Sequence, residues 1–422
     1  MRVGLIGNPL GHSFSPRLHR DFGTADYELR PLLPDRLAPF FAAREFEGIN
    51  VTIPYKRDVI PFMDELHPSA VMCGAVNTVV NRDGRLTGYN TDIYGMHFAL
   101  RFAGITLAGR HVVVLGSGGT SHTACALAKR EGAASVTVVS RSGEVTYDSL
   151  PSLTDTEVVI NATPVGMFPN IAASPADLSM FPRLVGVFDA VFNPLHTRFS
   201  QQAKELGVPA GNGLLMLTAQ AKVANNLFRG GDYSEPAEDS ADGKEIVRVM
   251  RTIAAELTDI VLIGMPSSGK TTVGRTLAEM LGRTFVDTDT EIETREGMSI
   301  PDIFATFGEE GFRARERAVI ASLSTETGLV IATGGGAPLS EVNRKNLAAD
   351  GFTVLVRRDL DSLSTEGRPL SRDRETLARM EKERMPVYTA FADAEVVNDG
   401  TPESCAMRIK ELFYENFGDQ RS

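Results

Sequence analysis

Short apolar runs alternate with segments of helical periodicity along the chain, and this alternation predicts an α/β protein. We predict strands at 1–7, 111–115, 136–139, 259–264 and 353–356, and strands that run directly into turns at 48–56, 158–166, 186–194 and 330–336. Helices are predicted at 123–130, 213–226, 244–257 and 272–281, and from Gly311 onwards. The acidic stretch 230–243 contains Gly and Pro and is expected to be a mobile loop. A further domain begins directly after helix 244–257, with almost no linker.

Length, composition and charge narrow the class of protein. A chain of 422 residues is too long for one hydrophobic core and suggests two or three domains. Its 42% apolar and 23% charged residues are those of an ordinary soluble globular protein. The formal charge of −11 argues against general binding of nucleic acid or anionic membranes. An anionic substrate therefore has to be held by local clusters of Arg and Lys.

Cysteine usage and the N-terminus indicate the compartment. The 3 cysteines are too few and too scattered for a disulfide framework or a zinc site. The strand-like N-terminus lacks the apolar core of a signal peptide, and no run reaches membrane-spanning length. We therefore expect a protein of the reduced cytoplasm.

The stretch 264–271 fits the phosphate-binding loop pattern G-x-x-x-x-G-K-[ST] and lies between a predicted strand and a predicted helix. The N–H groups of such a turn and the N-terminus of the helix converge on phosphate oxygens. Lys270 would reach the outer phosphates, and the Thr271 hydroxyl would serve Mg²⁺. The alternative is a glycine turn that carries a Lys by chance, and the strand–turn–helix context argues against it.

A second nucleotide site is predicted at 111–139, which has the strand–turn–helix–strand pattern of a dinucleotide-binding unit. Its third glycine is displaced, so the run reads G-x-G-G, which is a weak signal alone. An NAD site needs Asp or Glu at the end of the second strand, where it binds the ribose 2′-hydroxyl. Here Ser140, Arg141 and Ser142 follow that strand, which suits a 2′-phosphate and favours NADP(H). The alternative for Arg141 is an ordinary surface position after a strand.

Several polar side chains are predicted at turns, where open α/β sheets bind ligands. Ser13 and Ser15 precede a helix that a proline can start, and they either hold a polyhydroxylated ligand or cap the helix. Lys56 lies at the carboxyl end of a predicted strand. Asn77 and Asp92 lie on turns, where such residues usually stabilise the turn itself.

These motifs together resemble two enzyme families. The C-terminal region resembles shikimate kinases along essentially its whole length, through GMPSSGKT at 264–271, DTD at 287–289, GFR at 311–313, TGGG at 333–336, GRPL at 367–370 and RMPVY at 384–388. The N-terminal region resembles shikimate dehydrogenases through GNPLGHSFSP, NVTIPYK, GAVNT, NTD, GSGG, SRS, NATPVGM and GLLMLTAQA. The two families catalyse consecutive steps of aromatic amino-acid biosynthesis, so a fusion makes metabolic sense.

The resemblance implies an α/β fold in three parts. An N-terminal α/β substrate domain would comprise 1–100 and about 220–257, and a Rossmann NADP-binding domain would comprise 101–219. Together they form a dehydrogenase region at 1–257. A P-loop kinase domain at 258–422 would follow, with a parallel sheet like that of nucleoside monophosphate kinases.

For the kinase, the resemblance implies that Arg313 and Arg384 hold the substrate carboxylate, a role that suits the planar guanidinium. Taken alone, an Arg on a helix more often forms a surface ion pair. Asp289 would bind ring hydroxyls and orient the attacking one, and Arg368 would reach the transferring phosphoryl group from a lid. The other implied ligand-binding residues are Gly334, Gly335 and Gly336 for the ring, Gly264, Ser267, Ser268, Gly269, Lys270, Thr271, Thr272 and Arg368 for ATP, and Thr271 and Asp287 for Mg²⁺.

The lid itself departs from the family pattern. The stretch 360–367 is short, and only Arg357 or Arg358 could stand for the second Arg often found at the start of the lid. The resemblance therefore assigns no residue to the adenine-side contact.

For the dehydrogenase, the resemblance implies that Lys56 is the general acid and that Asp92 orients it and binds a substrate hydroxyl. A Lys in a partly closed site can shift its pKa towards neutrality. The other implied residues are Ser13, Ser15, Thr52, Asn77 and Gln220 for the substrate, and Gly116, Ser117, Gly118, Gly119, Ser140, Arg141, Ser142, Asn161, Thr163, Gly213 and Met216 for NADP(H). Two departures are visible: Phe192 stands where the family usually has Tyr, and a second basic residue beyond Arg141 is absent.

The sequence therefore predicts a bifunctional enzyme that uses NADPH, ATP and Mg²⁺ to convert 3-dehydroshikimate to shikimate and then to shikimate 3-phosphate. We expect a monomer or homodimer that binds neither nucleic acid nor membranes. Two alternatives stay open. The N-terminal region could be a non-catalytic module that stabilises the kinase, or its substrate could be quinate.

Overall fold

The computed structural model describes residues 2–10, 13–359 and 374–418, and the chain divides into two compact units. The first comprises Met1–Met167, Ala173–Asn193 and Phe199–Met250, and the second comprises Phe168–Ala172, Pro194–Arg198 and Arg251–Ser422. The sequence-based boundary between 257 and 258 stays a prediction.

The first unit contains two sheets, of which the N-terminal one has six strands in the order β2-β1-β3-β5-β6-β4. Its strands are β1 (Val3–Gly7), β2 (Tyr27–Pro31), β3 (Gly48–Val51), β4 (Glu65–Leu66), β5 (Thr78–Arg82) and β6 (Arg85–Tyr89), and its helices are α1 (Ser15–Asp21), α2 (Leu37–Ala43), α3 (Pro68–Cys73) and α4 (Asp92–Phe102). Strand β1 pairs in parallel with β2 and β3, whereas β5 pairs antiparallel with β3 and β6. The sheet is therefore mixed, and the predicted strands at 1–7 and 48–56 are confirmed as neighbours in it.

The second sheet of this unit has five parallel strands in the order β11-β10-β9-β7-β8. Its elements are β7 (His111–Leu115), α5 (Gly119–Arg130), β8 (Ser135–Val139), β9 (Val158–Asn161), β10 (Gly186–Asp189), α6 (Arg198–Glu205), β11 (Ala210–Asn212), α7 (Gly213–Phe228) and α8 (Ala241–Leu257). Strands β9 and β10 are buried along their whole length, because helices cover both faces of a parallel sheet. The carboxyl ends of these strands meet at one edge, where the predicted cofactor residues lie.

The acidic stretch before α8, which we expected to be a mobile loop, makes many contacts in the structure. The Tyr233 ring lies 4.4 Å from the His67 ring, measured between centroids. Arg130 Nη1 donates to Glu235 Oε1 at 2.8 Å, and the Tyr94 hydroxyl donates to a backbone carbonyl of the stretch at 2.8 Å. The stretch before α8 is irregular, as composition favoured, but its aromatic and charged side chains contact α4, the end of α5 and the residue before α3.

The second unit contains a sheet of five parallel strands in the order β13-β14-β12-β15-β16. Its elements are β12 (Asp259–Ile263), α9 (Lys270–Leu281), β13 (Phe285–Asp287), α10 (Thr288–Glu296), α11 (Ile300–Leu323), β14 (Val330–Ala332), α12 (Glu341–Leu347), β15 (Gly351–Arg357), α13 (Arg374–Phe391), β16 (Ala394–Val397) and α14 (Pro402–Asn416). The central strand β12 is buried at all five positions. None of the helices in the described part of the chain combines the length and apolar character needed to cross a membrane.

Two helices begin earlier than the sequence predicted, α5 at Gly119 and α9 at Lys270. Each begins at or directly after its glycine turn, so its first N–H groups face that turn. The stretch α11 (Ile300–Leu323) consists of two helical segments that are separated at Gly308, whose φ of 69° and ψ of −176° are not helical. The predicted helix from Gly311 onwards corresponds to the second segment.

Candidate active sites

Lys56 and Asp92 form an ion pair in the first unit, with 2.7 Å between Nζ and Oδ2. Lys56 lies in the turn after β3, and a hydrogen bond from the Val76 N–H to its carbonyl fixes that turn at 2.7 Å. Thr52 begins the same turn and donates its N–H to the Ile6 carbonyl at 3.0 Å. Asp92 is the first residue of α4, where the helix dipole stabilises a carboxylate. The side chains of the pair are 23% and 14% exposed, so a ligand can reach them.

Asn77 and Gln220 come together beside this pair through Thr91. Asn77 Oδ1 accepts a hydrogen bond from the Thr91 N–H at 2.7 Å, and its Nδ2 donates to Thr91 Oγ1 at 3.0 Å. Gln220 Oε1 accepts from Thr91 Oγ1 at 3.2 Å and from Asn77 Nδ2 at 3.5 Å. Because Thr91 precedes Asp92, these contacts place both amides next to the ion pair. The structure therefore brings together four predicted residues that are far apart in sequence.

The two serines lie at the start of α1. Ser13 Oγ accepts a hydrogen bond from the Ser15 N–H at 3.2 Å, and both residues are half-buried. The N-cap residue of α1 is Phe14 and the helix has no side-chain cap hydrogen bond, so the contact between the two serines is a local bond that precedes the helix. A hydroxyl that accepts one bond still has a proton to donate, so Ser13 can also bind a ligand oxygen. Ser15 lies within hydrogen-bonding reach of the Tyr27 phenol.

A chain of buried polar side chains connects Tyr27 with Asn77. The Tyr27 hydroxyl donates to Asn50 Oδ1 at 2.8 Å, Asn50 Nδ2 donates to Thr78 Oγ1 at 3.0 Å, and Thr78 Oγ1 donates to Asn77 Oδ1 at 3.1 Å. Sequence reasoning did not find Asn50 or Thr78. Such a network holds the amide of Asn77 in one orientation, since buried polar groups need partners.

His19 packs beside this network and is 1% exposed. Its ring stacks on Tyr27, with 4.2 Å between centroids. Burial lowers the pKa of His19 to about 3, and a hydrogen bond with Asn50 opposes this only in part. The imidazole is therefore neutral at physiological pH.

The glycine turn after β7 has the form that a dinucleotide needs. Gly116 has a φ of 106°, and its N–H donates to the Val139 carbonyl at 2.8 Å. A side-chain carbon added at Gly118 or Gly119 would meet no atom within 4 Å, so the turn is open above these residues. Ser117 is exposed in the same turn. An open turn at the N-terminus of α5 fits a pyrophosphate.

Ser140, Arg141 and Ser142 follow β8, next to this glycine turn. The Ser140 N–H donates to the Val145 carbonyl at 3.1 Å, and its side chain is buried. Arg141 and Ser142 are exposed. The exposed pair is the part of the predicted 2′-phosphate site that a ligand can reach directly.

The turn after β9 packs against the same glycines. Asn161 Nδ2 donates to Asp189 Oδ1 at 2.9 Å, and Asn161 Oδ1 accepts from the Thr163 hydroxyl at 2.6 Å. A side-chain carbon added at Gly116 would lie 2.8 Å from the Thr163 methyl group. Asn161 and Thr163 therefore shape one wall of the predicted cofactor site.

Helix α7 follows directly after β11, at the carboxyl end of that strand. It begins at Gly213, and Asn212 caps it with a side-chain hydrogen bond. Met216 is buried at the contact between α7 and α4, where Gly95 allows the two helices to approach closely. The side of Met216 that faces α4 is therefore packed.

In the second unit, the stretch 264–271 forms a phosphate-binding loop. Gly264 and Gly269 have φ values of 144° and 97°, and Ser267 has a φ of 64°, which is uncommon for a residue with a side chain. Ser268 Oγ is fully buried and has no hydrogen-bond partner within the described residues. A buried hydroxyl that lacks a partner fits a ligand that supplies one, and phosphate oxygens do so.

Lys270 lies inside this loop and is 7% exposed. Its Nζ donates to the carbonyls of Gly264 and Met265 at 3.0 and 2.9 Å. Thr272 is exposed in the first turn of α9, where N–H groups can face a phosphate. The backbone of the loop thus holds the ammonium group.

Thr271 and Asp287, the two predicted metal ligands, lie next to each other in the structure. Thr271 Oγ1 donates to Asp287 Oδ2 at 2.7 Å. The other oxygen of Asp287 accepts from the N–H groups of Asp289 and Thr290 at 3.0 and 3.3 Å, which caps α10. A hydroxyl and a carboxylate at this distance fit the oxygen ligands that Mg²⁺ takes, with waters and phosphates as the remaining ligands.

Arg313 lies against a buried carboxylate that sequence reasoning missed. Its Nη1 donates to both oxygens of Glu316 at 3.1 and 3.2 Å, and Glu316 is 1% exposed. Burial raises the pKa of Glu316, while Arg313 opposes the shift. A side-chain carbon added at Gly334 would lie 2.6 Å from Asp289 Oδ1 and 3.2 Å from Glu316 Oε1. Arg313, Asp289 and Gly334 therefore line one small space.

Arg384 joins the same space from α13. A side-chain carbon added at Gly335 would lie 3.4 Å from Arg384 Nη1, and one at Gly336 would collide with the Arg313 guanidinium. The Tyr388 hydroxyl donates to the Gly335 carbonyl. Two guanidinium groups and a glycine backbone thus surround a space for a carboxylate-bearing ring. Arg368, the predicted lid arginine, lies outside the described residues.

The residues of these sites that the sequence analysis did not assign are Asn50, Thr78, Thr91, Glu316 and Tyr388. Glu316 lies three positions after Arg313, a spacing that brings helical side chains together. Several other acidic residues share that helix, so the spacing alone did not distinguish it.

Comparisons with known proteins match both regions of the chain. The family model described as shikimate dehydrogenase substrate binding domain matches residues 5–79, and the one described as shikimate kinase matches residues 266–413. A shikimate dehydrogenase (NADP(+)) from Geobacter sp. strain M21 is 37% identical over 274 residues, covering 57% of this chain and 93% of that protein.

Two solved structures resemble the first part of the chain. One is a chorismate mutase/shikimate 5-dehydrogenase fusion protein from Clostridium acetobutylicum, with 31% identity and a TM-score of 0.55 over 60% of this chain and 96% of that one. The other is shikimate 5-dehydrogenase from Thermus thermophilus in complex with NADP(H) and shikimate, with 30% identity and a TM-score of 0.51 over 59% of this chain and 99% of that one. The chain therefore belongs to the shikimate dehydrogenase family and carries a shikimate kinase domain after the dehydrogenase region.

Proposed function

We propose that this chain reduces 3-dehydroshikimate to shikimate with NADPH and phosphorylates shikimate to shikimate 3-phosphate with ATP. The observation that supports this most directly is that each unit assembles its own catalytic constellation. The first unit pairs Lys56 with Asp92 at 2.7 Å, and the second gathers a phosphate-binding loop, Arg313 and Arg384 around one space.

In the proposed reduction, NADPH supplies the hydride, and the residues of the chain supply position and a proton. Lys56 Nζ protonates the carbonyl oxygen as the hydride arrives, and Asp92 keeps the ammonium oriented. Asn77 and Gln220, held by Thr91, bind ring hydroxyls, while Ser13 and Ser15 bind the carboxylate. The Gly116 turn with Ser117, Gly118 and Gly119, together with Arg141 and Ser142, would hold the cofactor.

In the proposed phosphorylation, ATP supplies the phosphoryl group and Mg²⁺ neutralises charge on it. Arg313 and Arg384 hold the carboxylate of shikimate, and Glu316 fixes the plane of the Arg313 guanidinium. Asp289 orients the attacking hydroxyl and takes up its proton. Lys270 exchanges its backbone carbonyl partners for phosphate oxygens, and Thr271 and Asp287 would bind the metal. Arg368 is proposed to stabilise the transferring group.

The alternative of a non-catalytic N-terminal module is not favoured. A module that served only to stabilise the kinase would have no need of a partly exposed Lys56–Asp92 pair flanked by ordered amides. The same proposal includes a cytoplasmic enzyme without nucleic-acid or membrane partners, and a monomer or homodimer.

The decisive experiment supplies the purified chain with 3-dehydroshikimate, NADPH and MgATP together. We expect oxidation of NADPH, followed by formation of shikimate 3-phosphate, measured by absorbance at the NADPH band and by mass spectrometry. Omission of ATP should stop the sequence at shikimate. Formation of product from added shikimate but not from 3-dehydroshikimate would refute the dehydrogenase half alone.

A further inference from the structure

Phe14 and Phe192 contact each other in the first unit, beside the predicted substrate ligands Ser13 and Ser15. Their ring centroids lie 5.6 Å apart, and the ring planes are at 89°, which is an edge-to-face contact. Phe14 lies between Ser13 and Ser15, at the start of α1 beside the mixed sheet. Phe192 lies three residues after β10 of the parallel sheet. We call these two side chains the aromatic clasp.

Hydrogen bonds fix the backbone at or next to each residue of the aromatic clasp. On one side, the Leu18 N–H donates to the Phe14 carbonyl at 2.9 Å. On the other side, the Val191 N–H donates to Asp189 Oδ1 at 3.0 Å, and the same oxygen accepts from Asn161 at 2.9 Å. The clasp therefore connects the start of α1, beside the mixed sheet, with the turn after β10 of the parallel sheet.

Both rings are half-buried, so the contact lies near the surface of the unit rather than in its core. A weak contact in that position favours the arrangement in which the start of α1 lies against the turn after β10, and the two can still separate. An edge-to-face pair contributes roughly 0.5–1.5 kcal/mol beyond the area that it buries. This is small compared with the stability of a domain, but it is sufficient to change the affinity of a ligand that binds between these two segments.

We propose that the aromatic clasp positions the start of α1 and the turn after β10 over the carboxylate end of the dehydrogenase substrate. This inference rests on the proposed function, in which Ser13 and Ser15 bind that carboxylate. Phe192 brings no hydroxyl to the site, so this side chain acts through its ring contact and not through a hydrogen bond. Phe14 and Phe192 are thus positioning residues that act together, and loss of either ring removes the whole contact.

A double-mutant cycle on the purified full chain tests this. The variants are Phe14→Ala, Phe192→Ala and the double variant, and the measured quantities are KM and kcat for 3-dehydroshikimate at saturating NADPH. We expect each single change to raise KM about fivefold and to change kcat less than twofold. The double variant should raise KM by about the same fivefold, because the first change already removes the contact.

Two further variants separate the clasp from a general effect of losing a ring. Phe192→Tyr keeps the ring and should leave KM within twofold of the native value. Phe102→Ala removes an exposed ring from α4 and should also leave KM unchanged. A rise in KM for either variant would contradict the role of the edge-to-face contact.

The outcomes also separate this inference from the proposed function. If the two single effects on KM multiply to about twenty-fivefold in the double variant, the rings act independently and the clasp is wrong. If both alanine variants lower kcat and leave KM unchanged, the pair does not act by positioning these two segments. If the native chain fails to reduce 3-dehydroshikimate, the proposed function fails and the clasp fails with it.

Discussion

The two active sites hold their lysines in different ways. In the first unit, Lys56 contacts the carboxylate of Asp92 at 2.7 Å and is 23% exposed. In the second unit, Lys270 donates to two carbonyls of its own loop and is 7% exposed. The first ammonium is oriented by a side chain from another element, and the second by the backbone from which it extends.

This difference follows from the chemistry of each proposed reaction. A general acid has to keep a proton available at a defined point, and a carboxylate partner orients it there. A phosphate-binding lysine has to exchange its partners for phosphate oxygens, and neutral carbonyls release it more readily than a carboxylate does. The comparison predicts that the two lysines can be removed one at a time, each with loss of a single activity.

The largest expected effect follows removal of Lys270. Lys270→Ala should lower kcat for shikimate phosphorylation by about a thousandfold, because the charge that balances the outer phosphates is lost. Reduction of 3-dehydroshikimate should stay within twofold of the native rate. Both activities can be measured in the same preparation. Kinase turnover at the native level would show that the loop does not hold the reacting phosphates.

Removal of Lys56 should give the reciprocal result. Lys56→Ala should lower kcat for 3-dehydroshikimate reduction by about a hundredfold, the usual contribution of a positioned acid. Phosphorylation of added shikimate should not change. The rate of NADPH oxidation is the measurement, with the exposed Lys129→Ala as the matched control. Full ketone reduction in the Lys56 variant would exclude this residue as the acid.

The two sites also differ in how far the sequence predicted them. The stretch 264–271 forms its site from one turn, so its spacing predicted strand, loop and helix correctly. The dehydrogenase residues Lys56, Asp92, Asn77 and Gln220 lie on separate elements, and only the resemblance to a family connected them. Their contacts are tertiary, because no local spacing relates position 77 to position 220.

Buried polar partners were the part that the sequence could not provide. Asn50 and Thr78 resemble ordinary strand residues, and their network depends on the register that places them opposite each other in the antiparallel pair of β3 and β5. Glu316 is one of several acids on a charged helix, and only burial distinguishes it. Helix starts were also misplaced, since α5 and α9 begin within the glycine turns that seemed to precede them.

The two units bury titratable groups of opposite type. His19 in the first unit is neutral because burial lowers its pKa to about 3. In the second unit, burial raises the pKa of Asp259 to about 8 and that of Asp350 to about 6. Each group favours its neutral form in the folded state. The first unit should therefore lose stability in acid, and the second should lose it as the pH rises.

The effect of His19 should appear between pH 7 and pH 5. The unfolded pKa is 6.5 and the folded one about 3, so stability is complete above 6.5 and falls as the pH drops below it. Over this interval the free energy of unfolding should fall by about 2 kcal/mol. Hydrogen exchange of peptides from β1 and β3, corrected for intrinsic rates, measures it. His19→Phe should remove this decrease, and the exposed His122→Phe should retain it.

Substitution of Asp259 should change the free energy of unfolding less than His19 does, and the pH dependence has the opposite sign. Its folded pKa of about 8 exceeds the ordinary 3.8, so its contribution to stability is complete below pH 4 and is lost as the pH rises through 8. Asp259→Asn keeps an acceptor for the Leu329 N–H, which lies 2.7 Å away. At pH 8 the free energy of unfolding of this variant should be roughly 1 kcal/mol higher than that of the native chain, since a neutral amide is buried at lower cost than a carboxylate. Hydrogen exchange of peptides from β12 measures this increase in stability. The surface variant Glu310→Gln should show no increase.

The smallest expected effect tests whether Glu316 acts through Arg313 in the kinase site. Glu316→Gln keeps the shape and one acceptor but removes the charge, so the guanidinium is held less firmly. KM for shikimate should rise about threefold, while kcat and KM for ATP should change less than twofold. Glu309→Gln is the matched control, because Glu309 also contacts Arg313, at 3.3 Å, but is 60% exposed. Equal effects of the two changes would mean that any negative charge near Arg313 suffices. An effect confined to Glu316 would establish that burial of one carboxylate fixes the arginine, as the side-chain carboxylate of Asp92 orients Lys56 in the other site.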